Sequence, residues 1–337
     1  MKKALVIRLG AYGDMIIITP VLKKLKELGY YVILNTNKRG QEVMLNNPNV
    51  DEIILHVEPE DVNDLQKIWD KLKEDIKPDK FINFSESIEC NVAMHPFNPE
   101  YIYSKKERAI RCDKNYYDVT EAWAGLEGCD KQPEMYFTEE EILKAKSHLD
   151  ESKFNILWVL SGSGQQKVYP WTEYVMGELL LKHEDIRIIT TGDMKCQLLE
   201  TLQDKDIIHI AGEVTMRESC ALTSVVDLVV GPDTGVLHAS GCFSTPKIGL
   251  LGHTNKNNIT KYFDNDYSIE ANVACSPCFR LIYDHNIQCP VDVITKAAWC
   301  MSNGIKPEDL FEKIIEVKNK HGRVNVGTSR ESVTAGK

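Results

Sequence analysis

The stretch Asp227–Gly241, DLVVGPDTGVLHASG, decides how this chain is read. Leu228 to Val230 has the unbroken apolar character of a strand covered on both faces. Gly231 and Pro232 predict a tight turn after it. A helix should then start at once, capped by Asp233 or Thr234. Gly235 would let a ligand approach the backbone. The first-turn N–H groups, at Thr234–Val236, have no intrahelical partners and suit a phosphate. His238 follows Thr234 by four residues and shares its face. Apolar strand, polar corner and helix start are how open α/β sheets build sites at their strand ends. An ordinary, well-capped corner fits the same pattern, so a second such corner is needed to choose.

That second corner is at the N-terminus. KALVIRL, residues 3–9, reads as a buried strand, and GAYGD follows it. A helix is expected from about Asp14 to Leu28, with Pro20 kinking or restarting it and Gly29 ending it. The Asp14 carboxylate either caps that helix or takes a proton from an acceptor hydroxyl, with Gly10 and Gly13 making room for a ligand. A nicotinamide fingerprint needs G-x-G-x-x-G and an acid about twenty residues on. Here only Gly10 and Gly13 are present, and the second strand ends Leu34-Asn35. An NAD-dependent sugar dehydrogenase or epimerase is therefore the weaker reading.

Strand and helix patterns alternate in both halves of the chain, which predicts α/β architecture with mostly parallel sheets. The 337 residues suit two domains, 1–150 and 151–321, followed by a disordered polar tail from 322. Residues 86–115 look irregular and carry a basic island, His95, Lys105, Lys106, Arg108 and Arg111. That island reads as a solvated loop or as a pocket wall for an anionic acceptor. In the second half, SGSGQQKVYP offers Lys167 to an anion, against the alternative of a solvated loop lysine. ITTGD, 189–193, offers Thr190, Thr191 and Asp193 to a ribose or base, against plain helix capping.

Hydrophobic residues make up 43% and charged residues 27%, the profile of a globular protein with real cores. A formal net charge of -10 argues against a nucleic-acid partner. The first residues are too short and too interrupted for a signal peptide, and no run is long enough to span a membrane. A cytoplasmic protein with at most peripheral contact at the inner membrane face is expected. Six of the ten cysteines are scattered and read as small buried hydrophobes. Cys275, Cys278, Cys289 and Cys300 have the spacing C-x2-C-x10-C-x10-C, which suits a structural zinc or iron site, free thiols or disulfides.

IRLGAYGDMIIITPVLKKLK, 7–26, and GPDTGVLHASGCFSTPKIGLLG, 231–252, together resemble the ADP-heptose:lipopolysaccharide heptosyltransferases, glycosyltransferase family 9. The resemblance implies a GT-B fold of two Rossmann-like domains, the first for the acceptor and the second for a nucleotide-sugar donor. It implies inverting transfer of a heptose or related sugar from an ADP-sugar, with no cofactor required. The acceptor would be a lipopolysaccharide core, another saccharide or a protein, and copies of the chain could associate. By resemblance, Asp14 matches the general base and Lys167 the lysine that meets donor phosphate. Asp233, Thr234, Gly235 and His238 match the donor-binding D-T-G-x-x-H, and Thr191 and Gly192 the region beside the nucleoside. Relatives often carry CSPC with further cysteines, some holding iron. A nucleotide-sugar-binding protein without turnover is the non-enzyme alternative.

Overall fold

The computed structural model describes residues 1–57, 64–85, 87–91, 95–96, 98–281 and 289–322. The expected tail beyond 322 lies outside the described residues.

The first half builds a four-stranded parallel sheet from β1 (Lys2–Ile7), β2 (Tyr30–Thr36), β3 (Glu52–Leu55) and β4 (Lys80–Asn83), in the order β3-β2-β1-β4. β1 is central, and Ala4, Leu5, Val6 and Ile7 are fully covered on both faces. Leu5, Val6 and Ile7 each contribute roughly 1.5–3 kcal/mol on burial. The expected 14–28 helix is two helices, α1 (Tyr12–Ile17) and α2 (Thr19–Glu27). Pro20 restarts the chain in the first turn of α2, where its missing N–H costs nothing. α3 (Lys38–Val43) and α4 (Leu65–Ile76) follow β2 and β3.

Residues 86–115 are more regular than their sequence suggests. They hold α5 (Ser87–Asn91), a short 3₁₀ turn at Pro99–Ile102 and α6 (Lys105–Cys112). α7 (Tyr116–Trp123) and α8 (Glu139–Lys146) lead to the second half.

That half is a six-stranded parallel sheet ordered β10-β9-β8-β5-β6-β7. Its strands are β5 (Phe154–Val159), β6 (Ile186–Thr191), β7 (Ile207–His209), β8 (Leu228–Pro232), β9 (Lys247–Leu251) and β10 (Ile269–Glu270). α9 (Thr172–Lys182), α10 (Met216–Leu222) and α11 (Gly235–Ser240) cover it, with α12 (Trp299–Ser302) and α13 (Pro307–His321) closing the chain. The expected turn at Gly231 and Pro232 is absent. Both are strand residues, pairing with Gly249 and Leu250 of β9, and the chain turns only at Asp233.

The two sheets face one another across α1 and α11. One apolar core runs from Val6 and Met15 through Val236 to Val229 and Leu157, so the halves meet in direct contact. A second core fills the far side of the larger sheet, from Trp158 to Leu310 and Ile314. Among the described residues, no helix is long and apolar enough to cross a membrane.

Candidate active site

The close meeting of α1 and α11 depends on two glycines. A Cβ on Gly13 would come 2.9 Å from His238 Cδ2, and one on Gly235 would come 2.8 Å from Tyr12 Cβ. The space both glycines leave is therefore filled by protein side chains, not kept for a ligand. Gly10 behaves alike, since its Cβ would meet Arg8 Nε and the Asp14 Cβ at 2.6 Å.

On the first-half side, Asp14 caps its helix and also pairs with a buried arginine. Its Oδ2 accepts the Ala11 N–H at 3.0 Å, which caps α1. Its Oδ1 faces Arg8 Nη2 at 3.0 Å, and the side chain stays 24% exposed. Arg8 is 1% exposed and is also held by Glu89 of α5, through Nη1 at 3.2 Å and Nη2 at 3.1 Å, and by the Phe84 carbonyl at 2.5 Å. Burial alone would lower the pKa of Arg8; the Asp14 and Glu89 carboxylates outweigh it and raise it. The guanidinium therefore keeps its charge and fixes the two carboxylates as one unit.

On the second-half side, Asp233 leaves the end of β8 and is not the cap of α11. Thr234 is, its Oγ1 accepting from the Leu237 N–H. Asp233 instead collects three basic side chains: His238 Nε2 at 3.1 Å, His253 Nε2 at 3.5 Å and Lys167 Nζ at 3.6 Å. Burial would raise its pKa, but Lys167, His238 and His253 together hold the carboxyl well below its ordinary range. Lys167 ends a 3₁₀ turn, Gln165–Lys167, and is buried rather than waving in solvent. Burial and the nearby Lys167 charge push His253 down to about 4, so its ring is neutral near pH 7.

Tyr116 joins the two sides. Its ring stacks on His238 with centroids 6.5 Å apart and 22° between planes. Burial, then the carboxylates of Asp233, Asp14 and Glu89, raise its phenol well above 10. It stands where the charges of the two halves converge.

The predicted nucleoside side chains are otherwise occupied. Thr191 shares a hydrogen bond with Ser219 at 2.7 Å, Thr190 Oγ1 donates to Glu200 at 2.6 Å, and Asp193 accepts from the N–H groups of Lys195 and Cys196. A Cβ on Gly192 would strike Cys196 Sγ at 2.5 Å. What this strand end leaves a nucleoside is backbone.

Of the basic island, Lys106 and Arg111 are exposed, while Lys105 and Arg108 bond the cysteine segment. Lys105 Nζ donates to the carbonyls of Ala274 and Ser276, and Arg108 Nε donates to that of Cys278 at 2.8 Å. Arg280 returns the contact by donating to the Tyr101 carbonyl. α6 thus straps the cysteine segment across the halves. Burial, then Cys289, Cys278 and Cys275, push the Cys300 thiol up to about 12. The four thiols feel one another, yet among the described residues no three or more His, Cys, Asp or Glu side chains are arranged to hold a metal ion. As placed, these thiols do not make the tetrahedral thiolate set that a structural zinc or iron demands. Cys112, Cys129, Cys196 and Cys220 are buried, as expected of small hydrophobes.

Arg8, Glu89, Tyr116 and His253 were not singled out from the sequence. Arg8 alone left a signal there, a charge at the end of a strand that is otherwise apolar.

Two Rossmann-like units with parallel sheets facing one another across their strand ends define a GT-B type protein. A family model described as glycosyltransferase family 9 (heptosyltransferase) matches residues 100–284, more than half the chain, and the chain belongs to that family. Lipopolysaccharide heptosyltransferase 1 of Campylobacter coli is 28% identical over 144 residues, 38% of this chain and 42% of that protein. The chain spans less than half the length of the curated relatives it matches. A family 9 glycosyl transferase from Veillonella parvula superposes with a TM-score of 0.68 at 16% identity, covering 95% of this chain and 97% of the other. E. coli ADP-heptose lps heptosyltransferase II superposes at 0.61 with 15% identity, covering 94% and 99%.

Proposed function

We propose that the chain is an inverting glycosyltransferase that moves a heptose or related sugar from an ADP-sugar to an acceptor hydroxyl. Residues 1–150 would present the acceptor and residues 151–321 the donor. The observation that carries this reading is the pairing of two strand-end carboxylates, Asp14 held by Arg8 and Asp233 held by Lys167, brought together where α1 crosses α11.

The acceptor oxygen attacks the anomeric carbon from the side opposite the nucleotide. Its new bond to that carbon forms as the bond to the diphosphate oxygen breaks, which inverts the centre. The hydroxyl proton passes to Asp14, the partly exposed carboxylate of the first half. The leaving diphosphate gains charge, and Lys167 with the N–H groups at Thr234–Val236 stabilises it in a largely water-excluded site. His238, locked by Asp233, would help to hold the donor. In this reading Gly13, Thr191 and Gly192, whose side-chain space is already taken up, would meet the donor through backbone alone. No step needs a cofactor.

The acceptor class in this reading is a lipopolysaccharide core, another saccharide or a protein hydroxyl, met in the cytoplasm or at the inner face of the membrane. To hold structural iron or zinc, outside the reaction, Cys275, Cys278, Cys289 and Cys300 would have to draw closer together than they stand. Metal analysis of anaerobically purified protein tests that assignment, and association between copies is read by sedimentation. The function itself is tested by incubating the chain with ADP-heptose and each acceptor class while following ADP release and product mass. Transfer supports the proposal; tight binding without turnover would make the chain a nucleotide-sugar-binding module.

A further inference from the structure

β9 runs parallel to β8, with Gly249 beside Gly231 and Leu250 beside Pro232. The residues just past each strand therefore emerge at neighbouring points of the same sheet edge. Past β8 comes Asp233; past β9 come Gly252, His253 and Thr254. His253 and Thr254 are each 3% exposed. His253 Nε2 lies 3.5 Å from Asp233 Oδ2 without making a hydrogen bond, and Thr254 Oγ1 has no partner among the described residues. Two buried polar groups in this condition are costly unless something bonds them. The loop is also held from behind. Ser276 Oγ donates to the Gly252 carbonyl at 2.7 Å, and the Phe279 N–H donates to that of His253 at 2.8 Å. Its side chains are fixed in place by the cysteine segment rather than free to find partners elsewhere.

The chemistry of the neighbours says what would bond them. A diphosphate is anionic and only accepts hydrogen bonds, so it belongs beside Lys167 and away from the Asp233 carboxylate. A sugar hydroxyl both donates and accepts. It can give its hydrogen to Asp233 or to an unprotonated imidazole nitrogen, and can accept from an imidazole N–H or a threonine hydroxyl. Resting on the donor reading above, we propose that His253 and Thr254 bind hydroxyl groups of the sugar being transferred, so that the end of β9 selects which nucleotide-activated sugar is used. Lys167 and His253 both face Asp233 Oδ2, so that oxygen would stand where the phosphates give way to the sugar.

The test is calorimetric titration of the full chain with ADP and with ADP-heptose, for the wild type, His253→Ala, His253→Gln and Thr254→Val. The wild type should bind ADP-heptose. In His253→Ala the Kd for ADP should change less than twofold and that for ADP-heptose should rise at least tenfold. Thr254→Val, nearly the same shape, should show the same split to a smaller degree, and His253→Gln should recover part of the loss. A parallel rise for ADP and ADP-heptose in the variants would place the contact on phosphate, or make it structural, and overturn the proposal. Unchanged binding of both would overturn it too. Should His253→Ala fail to fold, Thr254→Val and His253→Gln carry the same comparison. A wild type that binds ADP-heptose while the variants match it sinks only this inference; a wild type that binds neither compound sinks the donor reading with it.

Discussion

Arg8 Nη2 lies 3.0 Å from Asp14 Oδ1, inside a strand end where the arginine is almost wholly buried and the aspartate is not. A fixed cation thus grips one oxygen of the proposed base, while the Ala11 N–H grips the other. Glu89 takes the remaining face of the same guanidinium, so the base cannot swing away without breaking a three-group unit.

Breaking that unit should cost both fold and activity. Arg8→Met leaves Asp14 and Glu89 facing one another with no cation between them. We expect a loss of about 3 kcal/mol in urea unfolding, the low end for breaking a buried pair, because both carboxylates keep roughly a quarter of their surface in water. Adding Glu89→Gln to Arg8→Met should restore part of that stability. A double variant no more stable than Arg8→Met would mean the two carboxylates do not repel.

Lys167→Ala removes the positive charge assigned to the leaving diphosphate. Transfer from ADP-heptose should fall by about 10²–10³ in kcat, the usual effect of deleting one such stabilising group. Circular dichroism should still report a folded chain. A kcat within threefold of wild type would remove Lys167 from the mechanism.

The glycine at the crossing of α1 and α11 is a steric requirement. Gly235→Ala would put a methyl 2.8 Å from Tyr12 Cβ and 2.7 Å from Met216 Cε. Over-packing of this kind costs about 1–3 kcal/mol. The two halves should also separate slightly, visible as a larger radius of gyration in X-ray scattering. Wild-type stability and scattering from Gly235→Ala would mean that the halves do not meet so closely.

Acid should unfold the protein partly through His253. Its folded pKa, about 4, lies below the 6.5 of the free side chain. Between those values the unfolded chain binds more protons than the folded one, so stability rises with pH across that window and is lost on acidification. Asp233, held below its ordinary 3.8, acts in the same direction at lower pH, where protonation removes what Lys167 and the two histidines stabilise. His253→Asn should therefore flatten the slope of urea midpoint against pH between 4.5 and 6.5. An equal slope in wild type and variant would contradict the assignment.

The frame of this fold could be read from residue pattern where burial is two-sided and local. β1 and β8 show as unbroken apolar runs, Pro20 marks the restart between α1 and α2, and Thr234 caps α11 as its side chain allows. What escaped depends on contacts far apart in the chain. Pro232 reads as a turn residue, yet it is the last residue of β8, where its missing N–H is dispensable. α5 and α6 span too few turns to display a period, and the value of Lys105 and Arg108 lies in carbonyls some 170 residues away. His253 looks like any loop histidine until β9 is known to lie beside β8. Gly13 and Gly235 looked like room for a ligand, and only the crossing of α1 with α11 reveals what fills that room.

The most direct measurement is the pairing of turnover and ADP affinity in Asp14→Asn, an exchange that keeps shape and removes the proton-accepting charge. The account predicts a kcat for transfer from ADP-heptose lower by about 10²–10⁴, as for loss of a general base. The Kd for ADP should stay within twofold of wild type, since Lys167 and Asp233 stand on the other half. Transfer that persists at near wild-type rate, or turnover and ADP affinity that fall together, would contradict it.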